Sequence, residues 1–335
     1  MTIAGLSHLP YLGIRFPIQF YKCNLDCPYC IVVSRKHRET TFDVGKMHDI
    51  FEKIKKLPYR VSLRLGICGE IFLSGEILNE VKRLCNEENN IAGVSFSTNL
   101  SVNWEKKIEP FLKSVNVKKL GIGCTLHDTV IKNVDTFFES AKKLKEYGVT
   151  FYIGYVALPG SSSLIRDYKR RCDELGVPLT MNGLFGEFVG VEGADPKLVY
   201  PRCYTKEDRA AFKELWDTPH SYMMQIEEAL TKGMPCSAGK NYIIVNIKGD
   251  VFPCGHQQNV NLGNLLDDTL KLNDEDTICP ANSCACGNEN QALRIVDRLY
   301  DRGHALRLFR PKSGLTEKEL YAGYQPSIWA NDGHS

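Results

Sequence analysis

Residues 13–30 read GIRFPIQFYKCNLDCPYC. The first ten are mostly apolar and rich in Ile and Phe, which predicts a strand over 13–22. Directly after it comes Cys23-Asn-Leu-Asp-Cys27-Pro-Tyr-Cys30, a C-x3-C-x2-C loop at the strand's carboxyl end. Three thiolates on one short loop can bind three irons of a [4Fe–4S] cube and leave the fourth iron open to a small molecule. A fourth Cys would close the site and suit plain electron transfer. A zinc loop, or a grouping of structural thiols, is the alternative. Structural zinc wants four ligands in pairs, and His8 and His37 offer no matching spacing.

Outward from this loop, short β-rich runs alternate with amphipathic runs. Further strands are predicted over 59–67, 91–97, 118–124, 150–157 and 178–182, and helices over 43–57, 75–86, 103–115, 129–147 and 164–175. Met47, Ile50, Phe51 and Ile54 share one helical face; so do Val130, Val134, Phe137, Phe138 and Ala141. Gly148 and Gly176 stand just past helical runs as stops. This alternation predicts parallel strands with crossover helices. Six units fit between 13 and about 190, too few for an eight-unit barrel. An open partial barrel or a doubly wound sheet remains, and in both the ligands sit at the carboxyl ends of the strands.

The chain has 335 residues, 42 Lys+Arg against 40 Asp+Glu, and 13 Cys. A formal net charge of +2 argues against a protein that coats nucleic acid. Thirteen is odd, so complete pairing into disulfides is impossible. The first residues, MTIAGLSHLPYLGIRF, lack a basic n-region and are broken by His8, Pro10 and Arg15, so they do not read as a signal peptide. No run of about 18 apolar residues exists, and no membrane span is expected. Cysteines without an export signal point to metal or redox chemistry in the cytoplasm.

Beyond 187 the pattern changes. Residues 187–201 are Gly-rich and irregular, 206–232 read as one or two helices, and 242–246 with 250–253 form a hairpin about Lys248-Gly249. Around it lie Cys236, Cys254, Cys279, Cys284 and Cys286, enough for one four-ligand cluster with one thiol spare. The hairpin is expected to bring Cys236 and Cys254 together at its open end. Zinc or no metal are the alternatives, and Cys203 is a distant substitute ligand. The predicted organisation is 1–190 for the barrel, 191–235 for a linker with helices, 236–290 for a separate cysteine-rich module and 291–335 for a helical tail. Cys85 and Cys172 lie within helical runs and read as packing thiols. Cys68 and Cys124 end strands facing the presumed site, so they are candidate hydrogen donors. The arginines of the tail (Arg294, Arg298, Arg302, Arg307 and Arg310) read as a solvated helix face, and nucleic acid is not an expected partner.

The C-x3-C-x2-C loop after the first strand, with Tyr29 before its last Cys, resembles the radical S-adenosylmethionine (SAM) superfamily. That resemblance implies a partial (βα)6 TIM-like barrel. It also implies a cube held by Cys23, Cys27 and Cys30, whose open iron chelates SAM. Reductive cleavage of SAM would then give a 5′-deoxyadenosyl radical that abstracts a substrate hydrogen. Cys68-Gly69-Glu70-Ile71 partly matches the family's Gly-Gly-Glu-Pro, lacking the first Gly and the Pro. Ser97-Thr98-Asn99 resembles its Thr-Asn-Gly. Thr125-Leu126-His127-Asp128 stands where a ribose or carboxylate is contacted, and Val156-Ala157-Leu158-Pro159 where adenine is. The resemblance thus implies cofactor contacts from Tyr29, Gly69, Glu70, Ser97, Asn99, Thr125 and Leu158. A surface histidine is an equal reading for His127. The late cysteines, hairpin and G-x4-C pattern resemble the auxiliary-cluster module of the same superfamily, SPASM or its shorter twitch form. C-x4-C-x-C in place of a longer set favours twitch and one auxiliary [4Fe–4S] cluster, with Cys236, Cys254, Cys284 and Cys286 as ligands and Cys279 the less certain member.

The implied function is hydrogen abstraction ending in oxidation or epimerisation. Cys23 falls too early for a leader-binding domain before it, which tilts the substrate toward a small metabolite such as a carbohydrate or nucleoside. His127, Asp128 and Glu187 could hydrogen-bond its hydroxyls. A peptide- or protein-modifying maturase and a non-catalytic iron–sulfur protein are the alternatives. A flavodoxin or ferredoxin is the expected reducing partner.

Overall fold

A computed structural model describes residues 9–30, 43–185, 200–202 and 204–284. Glu187, Cys203, Cys286, His8, His37 and the tail 291–335 lie outside the described residues. Six strands run in parallel and in sequence order: β1 (Tyr11–Ile18), β2 (Arg60–Ile67), β3 (Ile91–Thr98), β4 (Leu120–Leu126), β5 (Thr150–Ala157) and β6 (Leu179–Gly183). The crossovers carry α1 (Val44–Ile54), α2 (Gly75–Asn86), α3 (Glu109–Ser114), α4 (Val134–Glu146) and α5 (Ser162–Leu175). This is the partial TIM-like barrel that the resemblance implies, one of the two architectures that the alternation left open.

The boundaries shift for local reasons. The helix expected over 103–115 divides into a π turn, Trp104–Ile108, and α3, whose first turn holds Pro110. Proline has no N–H to give and fits only a helix start. The helix expected from 129 begins at Val134, because the Asn133 side chain accepts from Asp135 N and caps it there.

Strand alternation separates two surfaces. Leu12, Ile14, Phe16 and Ile18 of β1 are buried, and Phe16 meets Phe51 of α1 edge to face at 5.1 Å. This row therefore faces the helices. Val61, Leu63 and Leu65 continue it on β2, Val94 and Phe96 on β3, Ile122 and Cys124 on β4, Ile153 and Tyr155 on β5. Burying each large apolar side chain contributes about 1.5–3 kcal/mol, so this layer holds the barrel together. The opposite row faces inward. It carries Arg15, Ser62, Arg64, Ser95, Ser97, Thr125, Tyr152, Thr180 and Asn182, all half-buried.

Residues 236–284 do not stand apart from the barrel. β8 (Tyr242–Val245) adds to the free edge of β1 in parallel, with Gly13 opposite Tyr242, Ile14 opposite Ile243 and Arg15 opposite Ile244. β9 (Val251–Phe252) closes the hairpin, giving an eight-stranded sheet of order β6-β5-β4-β3-β2-β1-β8-β9. Ile243, Ile244 and Val245 are fully buried, so detaching this strand would cost apolar burial as well as hydrogen bonds. The region read as a linker also packs. α6 (Lys206–Leu215) and α7 (Pro219–Gln225) join the β5–β6 side through Tyr204, whose hydroxyl donates to Ala157 O and accepts from Leu184 N at 2.9 Å. Gln225 Oε1 accepts from Gly183 N at 2.7 Å.

Candidate functional site

The cysteine loop starts where β1 ends and is stitched to the end of β2. Tyr21 N donates to Cys68 O at 2.5 Å, Cys68 N to Ile18 O at 3.0 Å and Glu70 N to Lys22 O at 2.8 Å. Gly69 lies between these bonds at φ +130°, and a Cβ there would stand 2.4 Å from Lys22 O. Only glycine fits this crossing. Its missing side chain thus serves the loop's backbone.

Glu70, for which the resemblance implies a cofactor contact, is held from the ends of β2 and β3. It is 1% exposed, and both its oxygens are taken: Oε1 accepts from Phe72 N (3.1 Å) and Thr98 Oγ1 (2.7 Å), Oε2 from Asn99 N (2.8 Å). Burial raises its pKa above the ordinary glutamate value against the lowering effect of these donors. Glu70 is a positioning residue that ties the end of β2 to the end of β3.

What it positions is Asn99. The Asn99 amide donates to Cys23 Sγ at 3.6 Å and to Asn24 Oδ1 at 2.9 Å. Its own oxygen accepts from Ser101 N and Ser101 Oγ, and Asn24 Nδ2 returns a bond to Ser101 Oγ at 2.9 Å. The loop is thereby held to β3 by a closed set of side-chain amides.

The three thiols fit a cationic iron cluster by their chemistry. Cys23 is exposed, Cys27 buried and Cys30 half-buried. Burial, then the charges of Cys30 and Cys23, push the Cys27 thiol up to about 12. Thiolates so crowded ionise together only with cationic charge among them. Among the described residues, no three His, Cys, Asp or Glu side chains close on a single metal ion.

Beside the loop, Tyr29 is 5% exposed and its hydroxyl bonds His127 Nδ1 at 3.1 Å. Burial raises the Tyr29 pKa and lowers that of His127 to about 4. His127 is therefore a neutral partner at neutral pH. Asp128 Oδ2 accepts from Tyr155 (3.0 Å) and Tyr168 (2.9 Å), both buried. Thr125 lies on the inner row beside Gly154, and Leu158 is buried at the end of β5. Ser97 is also on the inner row, where it accepts from Arg64 Nη2 at 2.7 Å.

The candidate hydrogen donors separate. Cys124 lies on the row facing the helices and is fully buried, with its thiol pKa pushed well up by that burial. It does not reach the barrel mouth, which corrects the expectation for it. Cys68 stays at the end of β2, 5% exposed, against the cysteine loop. Cys85 and Cys172 are fully buried helix thiols, as their spacing predicts.

With this geometry in view, comparison with known families is decisive. The model of the radical SAM superfamily matches residues 18–163, and an iron–sulfur cluster-binding domain, SPASM, matches 236–273. The chain carries a radical SAM domain followed by a SPASM iron–sulfur domain. Its cofactors are accordingly SAM and [4Fe–4S] clusters. Solved structures give the same fold. Hexahistidine-tagged anSMEcpe with bound AdoMet has a TM-score of 0.57 at 16% identity, covering 94% of this chain and 91% of that one. Native anSMEcpe with bound AdoMet and Cp18Cys peptide gives 0.54 at 16% identity, covering 94% and 95%. No curated protein sequence matches. Among the described residues no helix is long and apolar enough to cross a membrane.

In this radical SAM chain the late cysteines lie on and beside the short strands around the hairpin. Cys236 belongs to β7 (Pro235–Cys236), which pairs antiparallel with β10 (Thr277–Ile278), while Cys254 follows β9. Cys236, Cys254, Cys279 and Cys284 are all buried. The Cys279 sulfur lies 3.7 Å from Thr231 Oγ1 and 3.9 Å from Ala281 O. Sequence reasoning missed the inner row itself, with Arg15, Arg64 and Tyr152. The signal was present as the alternation of RVSLRLGI in β2, where parallel strands buried on both faces would read as continuously apolar.

Proposed function

We propose that Cys23, Cys27 and Cys30 hold the cluster that opens SAM, and that a small polar substrate is held on the inner face of the barrel for oxidation or epimerisation. A cluster held by these three thiolates would supply the electron for reductive cleavage of SAM, and so a radical able to take hydrogen from a C–H bond. The protein's own residues prepare that step. Glu70 fixes Asn99, and Asn99 supports Cys23 with an N–H donor, which favours the more negative, reduced state of the loop. Gly69 lets the loop cross β2 closely. Thr125, Leu158 and Tyr29 border the mouth in which SAM would lie.

The observation that carries the reading is the polar, half-buried inner row directly beneath the cysteine loop. A hydroxyl-rich metabolite finds donors and acceptors there. A second reading, modification of a peptide, is favoured by the peptide bound to anSMEcpe. The late cysteines would hold one auxiliary cluster of the twitch kind, which would serve as an acceptor for the electron left on the substrate. Cys68 would be the hydrogen donor in an epimerising enzyme. A flavodoxin or ferredoxin is the proposed reductant, and the abundance of thiols suits the reducing cytoplasm.

The test is anaerobic reconstitution followed by dithionite and SAM. The reading expects 5′-deoxyadenosine and about eight irons per chain, four for each cluster. Full iron loading without 5′-deoxyadenosine would refute it, and about twelve irons would replace one auxiliary cluster by two.

A further inference from the structure

The inner row holds two arginines side by side. Arg15 of β1 and Arg64 of β2 are directly in register. Both point into the barrel: a Cβ on Gly66, which follows Arg64 on the same face, would lie 3.4 Å from Arg15 Nε. Arg64 Nη2 crosses β3 to Ser97 Oγ at 2.7 Å and reaches Tyr152 Oη of β5 at 3.3 Å. Gly123 of β4 is bare to admit this hydroxyl, since a Cβ there would stand 2.5 Å from Tyr152 Oη. The guanidinium is thus aimed along the floor of the barrel by two neutral hydroxyls.

Among the described residues no carboxylate pairs with Arg64. Every other described strand position in register around it on this face is glycine, serine or proline: Ser62 and Gly66 on its own strand, Gly13 and Pro17 on β1, Gly93 and Ser95 on β3. A guanidinium carries five N–H donors, and two hydroxyls leave most of them for another acceptor. An oxyanion beside Arg64 would accept its spare donors as a fork, with Arg15 in register on the neighbouring strand.

We infer that Arg64 and Arg15 form an anion-binding subsite on the inner face of the barrel, which takes a phosphate or carboxylate group of the substrate. The subsite rests on the proposal that the substrate occupies this face. It is distinct from a subsite for the carboxylate of SAM. Arg64 lies four residues before Cys68, about 13 Å along the strand at ~3.3 Å per residue, below the tier of the cysteine loop. A substrate anchored there by one charged end would present its other end upward, toward the mouth.

The experiment uses reconstituted, SAM-loaded protein titrated at low salt with pyrophosphate, inorganic phosphate and acetate by calorimetry. Binding of at least one anion is expected, weakened at least tenfold in Arg64→Gln and partly kept in Arg64→Lys. Preference for the phosphates over acetate assigns a phosphorylated substrate, and the reverse assigns a carboxylate. A second measurement needs no variant. Phenylglyoxal labelling of the wild type, mapped by mass spectrometry, should modify Arg64 and be slowed by the anion that binds. Absence of binding by all three anions, unchanged affinity in a folded Arg64→Gln protein, or labelling indifferent to the anion would overturn the inference. Displacement of SAM by the anion would overturn it too, by assigning the arginines to SAM. Production of 5′-deoxyadenosine by the wild type is read separately, so failure of the radical reading and failure of the subsite are distinguishable.

Discussion

Glu70 concentrates much of the site's order in one carboxylate. Its removal leaves Phe72 N, Thr98 Oγ1 and Asn99 N without an acceptor in a buried place. Glu70→Ala should therefore lower stability by about 3 kcal/mol, measured as a shifted denaturation midpoint, since each stranded donor costs about 1–3 kcal/mol. Glu70→Gln, which keeps one oxygen, should lose less. His127 gives a pH dependence. Its pKa is depressed to about 4 by burial, below the unfolded value of 6.5. The unfolded state therefore binds the proton first. The stability linked to neutral His127 is present above about 6.5 and falls as pH drops toward 4, by up to about 3 kcal/mol. In His127→Gln the same pH series should be flatter; an unchanged slope would assign the acid sensitivity to other groups.

At the scale of elements, β8 matters most. It covers the edge of β1, the strand that delivers the cysteine loop. Ile243→Ala should cost about 2–5 kcal/mol and speed amide exchange in β1 as well as in the hairpin. Exchange changes confined to 236–284 would show instead that the hairpin is a detachable module. A second joint is Arg83 of α2, which bonds Glu52 of α1 and Glu80 and Glu87 of its own helix and its end. Arg83→Met should cost about 1 kcal/mol, in keeping with a partly exposed network, with a smaller effect at high salt. Much of this level was legible in the sequence, and the reasons are physical. α2 begins and ends where its pattern and caps say, at Gly75 and Asn86, because Ser74 caps it and its apolar face is regular. The attachment of β8 was not legible. Pairing across more than 200 residues leaves no local trace, and a hairpin reads the same whether or not its outer edge meets another strand. Cys124 was misjudged for a related reason. The end of a strand says nothing of which face a side chain takes until the register to its neighbours is known.

At the scale of the molecule, one sheet carries everything the account needs. Its carboxyl edge presents the cysteine loop, its inner face the polar row with the two arginines, and its free edge the iron–sulfur domain. Of the thirteen cysteines, Cys203 and Cys286 lie outside the described residues, Cys68 stands just past β2, and the other ten sort by place. Three lie on the loop, others are buried in the auxiliary region, and Cys85, Cys124 and Cys172 are core thiols. The loop assignment is the central claim, and its most direct test is the Cys23→Ala/Cys27→Ala/Cys30→Ala protein beside the wild type. Both are reconstituted anaerobically and given dithionite and SAM. The account predicts that the variant holds about four fewer irons per chain, keeps its auxiliary iron and yields no 5′-deoxyadenosine. A variant that retains the wild-type iron content or still cleaves SAM would contradict it.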